Sequence, residues 1–183
     1  MIFLTKQQID TAIPKVKVGL EKYLWLQNEV SRRNVALDRE FQQKFNGFYR
    51  VRRNQEWQKE FYKLLEVNKN TNTSFINILS KLYKKTNRIE ASFVSKLIAT
   101  INHKMPVIDK IVFANLNLRL PPTTTKNRIL IISEHYQTLN KEFLEFLKTE
   151  NGRYLVKQFT KKYPKAKITK VKMLDLILWQ TRS

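Results

Sequence analysis

The sequence predicts an all-α protein, and three observations carry that expectation. Apolar residues recur at steps of three and four along most of the chain. No stretch alternates apolar and polar residues over a convincing length, and no Asn-Gly turn joins two strand-like runs. The apolar stripes are bounded by recognisable helix starts and stops, such as Thr5 with Gln8 three residues on, or the Pro121-Pro122 pair. About eight to ten helices are expected, without internal repeats, in a single all-α domain over 1–183. A boundary between two lobes is expected near 119–124, at the double Pro.

The elements follow in order. Thr5 and Gln8 form a capping-box pattern, continued by Ile9, Ala12 and Ile13, and Pro14 kinks this helix or opens the next. Val16, Leu20, Tyr23 and Leu24 then run at helical spacing, with Trp25 as an anchor. After the basic break Ser31–Asn34, residues Val35, Leu37, Phe41, Phe45 and Phe48 predict a helix ending near Gly47. Asn54 caps a helix carrying Trp57, Phe61, Leu64 and Leu65. Thr73 or Ser74 caps another, with Phe75, Ile78, Leu79 and Leu82 on its face.

The segment Glu90–Asp109 holds the candidate chemistry. Phe93, Leu97 and Ile101, with Val94 and Ile98, make a wide apolar stripe that Pro106 is expected to end. Lys96 lies beside that stripe among Ser92, Ser95 and Ala99, small residues that leave room at its amine. Asp109 follows the Pro and opens a helix expected to run to Leu118–Pro122. Taken singly, such a Lys is an ordinary solvated residue and such an Asp an N-cap. Ile129 to Leu147 is the longest helical pattern, with its end expected at Asn151-Gly152. Tyr154, Leu155, Phe159 and Tyr163 form a further helix stopped by Pro164, and Val171 to Trp179 form the last.

Charge narrows the function. The chain carries 35 Lys and Arg against 15 Asp and Glu, a formal charge of +20. A polyanion is the economical partner for such an excess, and nucleic acid leads, with DNA the expected form. Two basic runs are candidate contacts. Arg50, Arg52 and Arg53 precede a helix N-terminus, where unpaired amides already favour phosphate. Lys157, Lys161, Lys162, Lys165 and Lys167 belong to a run from Arg153 to Lys172 that is expected to form an electrostatic arm. No apolar run reaches the ~20 residues of a membrane span. The start lacks the cationic region of a signal peptide, so a cytoplasmic location is expected.

Much chemistry is excluded. The chain has no Cys and only His103 and His135, so no thiolate or His-based metal site is expected, and no cofactor. Three Gly in the whole chain leave no Walker or Rossmann loop, and there is no Gly-x-Ser-x-Gly elbow. Glu40, Glu90, Asp109 and Glu134 are scattered rather than clustered. Lys96 and Asp109 remain as the candidate catalytic pair.

Ser95-Lys96 on a helix, then Met105-Pro106-Val107-Ile108-Asp109-Lys110-Ile111-Val112, resembles the core of the helix-hairpin-helix base-excision DNA glycosylases, in particular the 8-oxoguanine type. The match covers about 20–30 residues. The family's Leu-Pro-Gly-x-Gly hairpin before the Lys is absent, and the 13 positions from Lys96 to Asp109 are fewer than usual there. The resemblance implies a DNA-repair enzyme that extrudes a damaged base. Lys96 would attack the sugar C1′ as an amine nucleophile, and Asp109 would stabilise the developing positive charge. The charge alone also fits a non-catalytic DNA- or RNA-binding protein, or an interaction protein for an acidic partner.

Overall fold

The computed structural model describes residues 1–181, and all regular structure among them is helical. The helices are α1 (Lys6–Ala12), α2 (Lys17–Val30), α3 (Arg39–Tyr49), α4 (Gln55–Asn68), α5 (Phe75–Thr86), α6 (Ala91–Ile101), α7 (Lys110–Asn115), α8 (Arg128–Lys148), α9 (Glu150–Lys162) and α10 (Lys170–Gln180). A 3-10 turn, Ile13–Val16, joins α1 to α2 with Pro14 in its first turn. None of the helices is long and apolar enough to cross a membrane.

Most starts are legible in the sequence because side-chain caps satisfy amides that a helix leaves unpaired. Thr5 and Gln8 close a full capping box, while Asn54, Ser74 and Thr169 cap α4, α5 and α10. Several stops differ from expectation. Gly47 lies inside α3, which ends when Arg50 turns left-handed at φ 53°. The expected start at Val35 gives way to Asp38, whose carboxylate caps α3; Val35 is buried ahead of the helix and Leu37 is 77% exposed. Pro106 does not end α6: the helix stops at Ile101, and Asn102 is already extended. Likewise α7 ends at Asn115 rather than at the double Pro.

The end of α8 is a tertiary matter. Thr149 closes α8 and caps α9 at once, so Asn151 and Gly152 fall in the first turn of α9. Gly152 is there for close approach, since a Cβ would lie 2.1 Å from the Phe146 carbonyl oxygen. This glycine lets one helix start against the end of another, which sequence pattern alone reads as a stop.

The centre of the fold is α10. Eight consecutive residues, Val171 to Leu178, are buried, as expected of a helix covered on every side. The first turns of the chain, α8 and α9 pack around it. The chain start is tied to α9 by Asn151 donating to the Leu4 carbonyl at 2.8 Å and Tyr163 donating to that of Ile13 at 2.8 Å. A second block stacks α2 on α3 and α4 on α5, around Phe41, Phe45, Phe61 and Tyr62. Packing of α6 on α4 and α5, and of α5 on α8, joins the blocks.

A candidate nucleic-acid cleft around Lys96 and Asp109

Lys96 and Asp109 line one cleft of about 460 Å³. The local structure explains why they meet there. Ser95, fully buried on α6, donates to the Ser92 carbonyl at 2.8 Å and accepts from the Ile108 amide at 2.9 Å. Ser92 donates to the Ile108 carbonyl at 3.2 Å. Small residues beside Lys96 suggest room at its amine; these two serines instead hold the returning chain against α6. Tyr136 fixes the turn from the far side, donating to the Pro106 carbonyl at 2.9 Å.

Asp109 then begins α7. Its Oδ1 accepts from the amides of Ile111 at 2.9 Å and Val112 at 3.3 Å, so it is the N-cap that its position after the turn suggests. That role and a place on the cleft wall are compatible, because capping fixes the direction of the carboxylate. Lys96 is half-buried, with its Nζ 4.6 Å from the centre of the Phe93 ring.

The remaining wall comes from elements far away in sequence. Lys22 of α2, Arg50 after α3 and Lys110 of α7 add three cations. Phe48, Tyr49 and Trp179 add aromatic surface, with Trp179 at 5.2 Å and 6.1 Å from the rings of Phe48 and Tyr49. Burial pushes the Tyr49 phenol well above its ordinary range. The cleft thus pairs a net positive rim with rings packed edge-on and tilted against one another.

Arg50 reaches this cleft through an unusual backbone. The described residues other than Gly with positive φ are Asn87, Asn117, Asn127 and Arg50. Asn tolerates the left-handed region, whereas a residue with a long side chain costs about 1 kcal/mol or more there.

Beneath the rings lies a pair that sequence reasoning missed. Lys172 and Asp175, each about 4% exposed at the side chain, form an ion pair at 2.7 Å. Burial pushes the Asp175 carboxyl above its ordinary value, against the pull of Lys172, and Asp109 adds to the rise. The signal was available: both charges stand one helical turn apart within the apolar run Val171–Leu178. The sequence pattern puts Lys172 in the basic arm; the structure removes it from the surface, because α10 is enclosed on all sides.

The other predicted contacts divide by place. Lys157, Lys161, Lys162, Lys165 and Lys167 are exposed on α9 and the loop after it, and none of them lines the cleft. Arg52 and Arg53 turn away from Arg50 into a different cavity. The guanidinium of Arg53 binds both carboxylate oxygens of Glu90, at 2.8 and 3.0 Å. Among the described residues no three His, Asp or Glu side chains gather as metal ligands. Comparison with protein-family models, with curated proteins and with solved structures finds no match to this chain.

Proposed function

We propose that the protein binds nucleic acid in the cleft between α2, α3, α6, α7 and α10. One observation carries this reading: Lys22, Arg50, Lys96 and Lys110 rim a cleft whose wall also holds Phe48, Tyr49 and the half-buried ring of Trp179. Cations neutralise phosphates, and ring faces stack bases, whatever the sequence of the strand. The formal charge of +20 supplies the long-range attraction. The test is a titration of labelled DNA and RNA, single- and double-stranded, at ~50 and ~200 mM salt. Binding should weaken by orders of magnitude across that range. Absence of binding to every one of these polyanions at ~50 mM salt would end the reading.

A catalytic version is favoured by the presence of Lys96 and Asp109 on the same wall. In that chemistry the unprotonated Lys96 amine attacks C1′ of a nucleotide. The glycosidic bond breaks, and the base leaves with the bonding electrons and takes up a proton. Opening of the sugar then gives an imine between Lys96 and C1′. Asp109 stabilises the positive charge that builds on the sugar as the base departs. Borohydride reduces such an imine to a stable protein–DNA adduct. Wild type should give this adduct with a panel of damaged duplexes, and Lys96→Ala should not. Equal adduct formation by both proteins would remove Lys96 from the role, while no adduct from either would leave a passive binder.

A further inference from the structure

The cleft at Lys96 does not account for Arg52 and Arg53. These line a second cavity, of about 600 Å³, between the first turns of α4 and the C-terminal end of α5. Lys59, Lys85 and Arg88 bring the cations there to five, against Glu56 and Glu60. Arg53 is held by Glu90, and Glu60 lies 3.2 Å from Lys63. Arg52, Lys59, Lys85 and Arg88 are exposed and pair with no carboxylate among the described residues.

Two further features point to an anion. The cavity opens at the N-terminus of the 14-residue α4, where backbone amides and the helix dipole favour negative charge. Trp57 lines it, is 4% exposed, and its indole N–H has no hydrogen-bond partner. Buried donors are nearly always paired, and this one belongs to a residue of the cavity wall and finds no acceptor in the protein.

Phe93 joins this cavity to the first cleft. The Arg53 guanidinium lies 4.9 Å from the centre of its ring, and the Lys96 Nζ lies 4.6 Å from it. One ring therefore contacts a cation of each site. We propose that the α4–α5 cavity is a second phosphate site, and that one polynucleotide strand crosses Phe93 to occupy both. This rests on the nucleic-acid reading of the first cleft. Its consequence is a dependence on strand length: short oligonucleotides fill one site, and longer ones gain the second as an intramolecular step.

The experiment uses the full chain with fluorescein-labelled oligothymidylates and oligouridylates of about two to about twelve nucleotides. Wild-type affinity should rise in a step at the length that first spans both sites. Arg52→Ala/Lys85→Ala/Arg88→Ala should match wild type on the shortest strands, and lose the step and at least tenfold in affinity on the longest. Its log–log salt slope should be smaller by about 0.7 for each phosphate no longer neutralised. The charge-keeping exchange Arg52→Lys/Lys85→Arg/Arg88→Lys should retain the step. If the alanine triple fails to fold, single Arg52→Ala and Arg88→Ala variants decide by the same step. A folded alanine variant that tracks wild type at every length overturns the second site. If Lys96→Ala/Lys110→Ala then loses binding, the first cleft still stands; if it also tracks wild type, both readings fall.

Discussion

The Lys172 ammonium lies 2.7 Å from the Asp175 carboxylate inside a box of four aromatic rings. It sits 4.6 Å from the centre of Tyr23, 5.2 Å from Trp179, 5.6 Å from Phe48 and 5.7 Å from Tyr49. Three of those rings also line the cleft, so the pair supports its wall.

Breaking this pair should be costly, and replacing it should not. Lys172→Ala or Asp175→Ala leaves one buried charge alone, for an expected loss of about 3–5 kcal/mol. Lys172→Met with Asp175→Leu removes both charges and fills the space, and should be close to neutral or stabilising. Urea unfolding of the three variants gives the comparison directly. A double variant as unstable as either single would show that the rings need the charge.

The same pair sets a pH dependence. The Asp175 carboxyl is raised by burial, so the folded chain keeps a proton there at a pH where the unfolded chain has lost it. Its contribution to stability is therefore greatest below the ordinary aspartate value of about 3.9 and declines as pH rises toward the folded value. Lys172→Met/Asp175→Leu lacks the group. The stability of wild type relative to that variant should fall as pH rises from about 3.5, measured by urea unfolding at a series of pH values. A relative stability that instead rises with pH would mean that Lys172 outweighs burial.

Ser95 positions Asp109 through the Ile108 amide. Ser95→Ala leaves that buried N–H without its acceptor and should cost about 1–3 kcal/mol. Ser92→Ala loses a donor to a carbonyl, at 3.2 Å, and should cost less. Thermal denaturation ranks the two, and the reverse order would show that the Ser92 bond to the Ile108 carbonyl is the stronger hold on the turn.

The exposed lysines of α9 and its following loop test the surface outside the clefts. Lys161→Glu/Lys165→Glu/Lys167→Glu should fold, because all three are exposed, with a few tenths of a kcal/mol lost where Lys161 complements the α9 C-terminus. If this face touches nucleic acid, its salt slope should fall by about 0.7–0.9 for each phosphate that these lysines neutralise in wild type. Unchanged affinity in the folded variant would mark the run as a solvated face.

The sequence by itself determined the helical class, most helix starts and the consecutive placing of Lys96 and Asp109. These are local matters. A cap such as Thr5 or Asn54 acts within three residues, and an apolar stripe such as Phe93–Leu97–Ile101 is written at a fixed period. Tertiary structure decided the rest. Gly152 is a helix start rather than a stop because of the Phe146 carbonyl beside it. Arg50 and Arg52, two residues apart, face different cavities because the chain turns left-handed at Arg50, where α3 ends. Lys172 left the surface because α10 is enclosed on all sides, which no property of its neighbours in sequence could fix alone. The aromatic wall joins α3 to α10 across about 130 positions of chain, and burial of those rings, rather than any local preference, brings them together.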